Sequence, residues 1–274
     1  MSDPVYINKS NSVNNYTYKF QLPRNVDFSK KQVMVEKVSI YYSWFSISSL
    51  LNNNQLKLVV PTSGADLNLT ITIPDGTYSA ETLNQMIQNT AFIPNNLYLI
   101  NNTDGSYKYF GEFIENPQSY AIQWNSFPLK TFTGYTSAGM TFPATPKTMI
   151  LNINNSKFGD IIGFSPALYP ATMSLVNYSV ISDKIPQVSP VSSVYLSVSV
   201  ASNEMMPNSN VIFSFTTKGT QYGSLVEASN YLAEWSNCIQ GTRSDITIQF
   251  LTQDMTPLPI RDTDLTCILR IKQI

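Results

Sequence analysis

The run from Leu67 to Thr90 limits the fold more than any other stretch, because its periodicity changes from 2 to 3.6 across a single turn. Leu67, Leu69, Ile71 and Ile73 alternate with Asn68, Thr70 and Thr72, the pattern of a strand buried on one face. Pro74-Asp75-Gly76 stops that strand, since proline fixes its own φ and glycine accepts positive φ without steric cost. Ser79 then stands where an N-cap belongs, with Glu81 near the positive end of the helix that follows. Leu83, Met86 and Ile87 lie at i, i+3 and i+4, one narrow apolar stripe, and Asn89 and Pro94-Asn95-Asn96 end the element. No other helix signal is as clear. A lone short helix in a chain of strands packs on a sheet and forms no bundle.

Strand patterns fill most of the remainder. Residues 1–30 are polar, with extended pieces at Val5–Ile7 and Tyr16–Leu22 and a loop expected from Pro23 onwards. The first piece reads as an ordinary first strand, with a terminal arm pairing on an edge as the other reading. Val33–Ile47 is the strongest strand. Val38, Ile40, Tyr42 and Trp44 share a face, while Val33 and Val35 are out of phase with them, which predicts a bulge near Glu36-Lys37. Its second face carries Tyr41 and Phe45 and needs a cover. Gln55–Val60 is a strand. Leu97–Ile100, Ser106–Ile114 and Tyr120–Trp124 read as a meander with a tight turn at Asp104-Gly105.

Further along, residues 126–147 carry Gly134, Gly139, Pro143 and Pro146 and predict a long exposed loop. Met149–Ile153 returns to strand, and one helical turn is expected around Phe158–Ile162, ended by Gly163. After a proline-bearing connector at 181–190, Val194–Val200 and Val211–Phe215 alternate again. Leu225–Trp235 admits a helical or an extended reading. Asp245–Leu251 and Leu265–Ile271 close the chain as an expected hairpin, with Pro257 and Pro259 confining the stretch between them to turn or edge duty. About eight to ten strands at irregular spacing, with no strand-helix alternation and no internal repeat, predict an all-β antiparallel protein. For 274 residues the expected architecture is a single jelly roll, two sheets face to face, over residues 1–274, with one short helix, long loop insertions and a candidate insertion at about 126–147.

Composition removes several chemistries. There is no histidine, so Ser-His-Asp and Cys-His catalysis and the common zinc sites are excluded. Cys238 and Cys267, the only cysteines, read as reduced core residues. Net charge is −1 with Lys and Arg scattered, so no basic stripe exists to neutralise phosphates and direct nucleic-acid binding is not expected. No apolar run is long enough to span a bilayer, and MSDPVYINKS lacks the segments of a secretory signal. Asp75, Glu112, Glu115, Asp160 and Asp183 read as isolated turn or strand-end acids. Asp254, Asp262 and Asp264 lack the spacing of a known calcium loop, and no phosphate-binding glycine pattern occurs. No catalytic, cofactor-binding or metal residue is therefore assigned. Charged residues are only 13%, against about 25% in an ordinary soluble domain, and a surface that repels its own copies so weakly suits one covered by partners.

Three segments in order, KVSIYYSWFSI at 37–47, ITIPDGTYSAETLNQMI at 71–87 and FGDIIGF at 158–164 followed by YPA at 169–171, together resemble one family. The closing ITIQFLTQDMTPLPIRDTDLTCILRI at 246–271 agrees with them. The order is similar to that of the penton, or minor capsid, proteins of virophages and Polinton-like viruses. The resemblance implies a single jelly roll and a homopentamer at the fivefold vertex of a virion. It also implies contact there with trimers of a double-jelly-roll major capsid protein. It carries over no interface residue, and 126–147 has no counterpart in it. Two other classes stay open from the residues alone. One is a carbohydrate- or receptor-binding jelly roll using Phe132 and Tyr135. The other is a carboxylate enzyme using Asp262.

Overall fold

A computed structural model describes residues 2–187, 189–203, 210–217 and 219–274. The chain forms two compact units, one of Met1–Trp44 with Val191–Ile274 and one of Phe45–Pro190.

Eight strands frame the first unit: β1 (Ser2–Asn8), β2 (Thr17–Asp27), β3 (Lys31–Tyr41), β4 (Val194–Val198), β5 (Val211–Phe215), β6 (Leu225–Ser229), β7 (Thr242–Thr252) and β8 (Leu265–Gln273), with the short strands Ser12–Asn14, Ala201–Ser202 and Ser236–Cys238 added at their margins. One sheet runs β1-β8-β3-β6 and the other β2-β7-β4-β5, antiparallel throughout. Strands 1, 8, 3 and 6 facing 2, 7, 4 and 5 is the strand order of a jelly roll. The unit of residues 45–190 is the connection between the third and fourth of these strands. Alternation decides what is buried: Val5 and Ile7 of β1, Ile246, Ile248 and Phe250 of β7, and Leu265, Cys267 and Leu269 of β8 are all below a tenth exposed. The expected bulge in β3 is present. Ile268 pairs with Lys37 and Leu269 with Val35, leaving Glu36 unopposed, and this one-residue step puts Val33, Val35, Val38 and Ile40 on the same buried face. The carboxylate of Glu36 accepts from Arg270 Nε at 2.8 Å and Nη2 at 3.0 Å, which holds it below the usual carboxylate range.

Three expectations change in this unit, and one open reading is settled. The closing segments are not a hairpin: β7 pairs with β2 and β4, while β8 pairs with β1 and β3. Residues 253–264 cross between the sheets, with Leu258 and Ile260 buried and Ser43 Oγ accepting from the N–H groups of Arg261 and Asp262. Pro23 lies inside β2 and not in a loop. Arg243 pairs with Val26 but Asp245 with Gln21, so the proline sits in an irregularity where no ladder N–H is required. Of the two readings of Leu225–Trp235 the extended one holds for Leu225–Ser229: β6 pairs with Lys37–Tyr41, residues 230–235 form a loop, and Ser236–Cys238 pairs further along β3. Finally, β3 ends at Tyr41 and does not run on to Ile47. The first piece of the chain is an ordinary strand, Val5 opposite Leu269.

Both cysteines are free and buried. Burial pushes Cys267 up to about 12 and Cys238 up to about 11. Ellman's reagent at about pH 8 is expected to label the native protein on the order of 100-fold more slowly than the denatured chain. A native rate equal to the denatured one would remove Cys267 from the core. With Cys267 raised from 9.0 to about 12 in the fold, its contribution to stability is intact below about 9 and is lost as the pH rises towards 12.

The second unit holds three antiparallel sheets around its own core. Their strand orders are Ala167–Tyr169, Ile150–Ile153, Gln55–Val60, Leu67–Thr72; then Tyr178–Ile181, Ala121–Ser126, Gly111–Asn116; and Tyr135–Ser137, Tyr98–Asn101, Tyr107–Tyr109. Helix α1 (Ala80–Ile87) has Ser79 as N-cap, in a reciprocal arrangement with Thr82. It buries Leu83 and Ile87 against Gly111–Asn116, which is the helix-on-sheet packing expected. The meander breaks at Phe110, because Tyr107–Tyr109 stays with Tyr98–Asn101 while Gly111–Asn116 joins another sheet. Phe110 is fully buried at that corner, and Gly111 is packed so that a Cβ would lie 2.5 Å from Trp124 Cη2. The Asp104-Gly105 turn holds, with Gly105 at φ 73° and Asp104 accepting from Ser106 N–H and Oγ. Helix α2 (Ser156–Ile162) is capped by Asn155 and ended by Gly163 in the left-handed region. Residues 126–147 contribute Tyr135–Ser137 to a sheet and bury Leu129.

Candidate functional site

Three of the acids singled out in the sequence, Asp75, Asp183 and Asp262, accept hydrogen bonds from backbone N–H groups. Asp75 accepts from Ser48 Oγ at 2.9 Å and Ser49 N–H at 2.7 Å, clamping the 48–54 loop onto the turn that precedes α1. Glu112 accepts from Asn125. Asp262 accepts from the N–H of Asp264, a local turn. Asp160 and Asp183 come nearest to a pair, since both act on Lys184, Asp160 through a 2.8 Å ion pair. Hydrogen bonds from Ser165 hold Asp183 below the usual carboxylate range, the opposite of what a general acid needs. Among the described residues no three His, Cys, Asp or Glu side chains gather as a metal site. No described helix is long and apolar enough to cross a membrane.

Phe132 and Tyr135 are brought together, ring centroids 6.5 Å apart. Lysine ammonium groups stand near both rings. Lys108 Nζ stands 4.6 Å from the Phe132 centroid and 5.6 Å from that of Tyr135, and Lys130 Nζ is 5.4 Å from Phe132.

An apolar hollow lies elsewhere in the second unit and left no mark in the sequence. It is a pocket of about 340 Å³ with Leu83 of α1, Ile122, and Ile161 and Ile162 of α2 in its lining. Tyr120 and Ile185 stand at its rim, 77% and 74% exposed. Its elements are far apart in sequence, and each supplies one or two ordinary apolar residues, so no local pattern announces it. Tyr120 is the exception: it adopts φ 48°, which holds a large side chain outward from a tight turn. A second shallow site in the first unit is bordered by Tyr231 and Leu232, 93% and 81% exposed, on the loop that interrupts pairing along β3. A helical reading of 225–235 hides both.

No family model matches the chain, and no curated protein matches it. Among solved structures the chain is similar to the mavirus penton protein. That likeness spans 100% of this chain and 99% of the other, at 10% identity and a TM-score of 0.46. A chain of the Sputnik virophage particle aligns with 99% of this chain and 98% of its own length, at 12% identity and a TM-score of 0.39.

Proposed function

We propose that this protein is a structural capsid component, the penton subunit of a virion built from a double-jelly-roll major capsid protein. In this reading five copies close a ring at each fivefold vertex and contact the neighbouring capsomers. One observation carries the reading: the eight-strand jelly-roll order arises in the chain whose segments at 37–47, 71–87, 158–164 and 246–271 resemble penton proteins. A ring of this kind forms when one patch meets a different patch on the next copy and the rotation closes. Sparse charge helps, because five similar surfaces then approach with little mutual repulsion. Individual contacts to capsomers need only be weak when many act together.

Absolute mass by light scattering after size exclusion, at two concentrations, tests the ring. About five times 30.7 kDa is expected at the higher concentration. A trimer would overturn the pentamer, and a monomer at both concentrations would make the ring dependent on the rest of the shell.

A further inference from the structure

We infer that the edge of strand Gly111–Asn116 is a docking site for an extended, basic peptide segment of a partner protein, whose apolar residue enters the pocket beside α1. The first observation is an open strand edge. At Phe113 the edge is closed by a side chain: Phe113 N–H donates to Asn84 Oδ1 at 2.7 Å and its carbonyl accepts from Asn84 Nδ2. The Asn84 amide thus occupies the place of a neighbouring strand for one residue. Two residues on, Glu115 stands opposite Ile122. Both backbone groups of Ile122 are turned to its other side, where Ile122 N–H donates to Ser182 Oγ and the carbonyl accepts from Ser182 N–H. In an antiparallel pair that parity leaves the N–H and C=O of Glu115 on the outer edge, where a further strand would bind.

The second observation is the pocket next to that edge. Glu115 borders both the apolar pocket of Leu83, Ile161 and Ile162 and the shallower gap between this strand and the first turn of α1. An extended segment that takes both Glu115 hydrogen bonds therefore runs beside an apolar hole able to accept one of its side chains.

Charge decides the partner. The only charged residues bordering the two cavities are Glu81 and Glu115. Lys184, which precedes the rim residue Ile185, is already held by Asp160 at 2.8 Å. A segment that alternates an apolar residue with Lys or Arg matches this surface, and an acidic one is repelled by it. The site lies within the second unit.

The test uses the full chain and a blocked heptapeptide alternating leucine with lysine, titrated by calorimetry and followed by hydrogen exchange. Saturable binding is expected, with added protection in the peptide spanning Gly111–Asn116. Glu115→Lys and Ile185→Lys both alter exposed side chains, and each should weaken binding at least tenfold. The inference is overturned if a serine-lysine or a leucine-glutamate peptide binds equally well. It is also overturned if both variants bind like the parent, or if no saturation is seen at millimolar peptide.

Discussion

Replacing Phe250 by alanine is expected to lower the stability of the folded chain by about 3–5 kcal/mol. Phe250 is fully buried in β7, packs edge-on against Tyr18 with ring centroids 6.0 Å apart, and pairs across the sheet with Leu196. Its removal strips apolar area from the β2-β7-β4 layer and leaves a void that rigid neighbouring strands cannot close. Tyr18 adds to the cost. Its hydroxyl is buried without a hydrogen-bond partner among the described residues, and burial pushes its ionisation up to about 12. A cavity beside it exchanges packed aromatic contact for nothing. Urea titration followed by far-ultraviolet circular dichroism reads the effect as a lower midpoint with little change of slope. A loss below about 1 kcal/mol would mean that this layer is not the core described above.

Gly163→Ala is expected to have the second largest effect. Gly163 ends α2 at φ 78°, a region that costs a residue with a Cβ about 1–3 kcal/mol. An added Cβ would also run into the Lys184 carbonyl, and would approach Ser182 Oγ at 2.9 Å. The backbone there is pinned, because Lys184 N–H donates to the Gly163 carbonyl at 2.9 Å. Crowding adds to strain, and a total of roughly 2–5 kcal/mol follows. Gly134→Ala separates the two terms, since Gly134 has φ 82° with nothing within 4 Å of a Cβ. Thermal unfolding of both variants should show a clearly larger fall for Gly163→Ala. Equal falls would assign the whole effect to φ. The same geometry explains the FGDIIGF run: a Cβ on Gly159 would collide with the Phe164 carbonyl and lie 2.9 Å from Ile153 Cγ2. The two glycines let the chain double back where α2 meets its neighbours.

What the sequence determined by itself is whatever depends on neighbours a few residues apart. The alternation of Leu67–Ile73, the Ser79 cap, the stop at Gly163 and the Asp104-Gly105 turn are local, and each formed where its pattern placed it. Even the bulge at Glu36 was legible, because it shifts the apolar phase along a single strand. Whether 225–235 was helix or strand was not local, since β3 supplied the hydrogen bonds that decided it.

Partner choice belonged to the tertiary structure. Nothing in β7 or β8 distinguishes a hairpin from two strands on opposite sheets, since both carry the same period-2 code. Pairings such as Val5 with Leu269, or Thr242 with Asp27, join residues more than two hundred positions apart. The open edge at Glu115 and the pocket beside it arise in the same way. They depend on which strand lacks a neighbour and on five segments converging. A strand pattern specifies which face is apolar, but only the assembled sheets settle what lies against it.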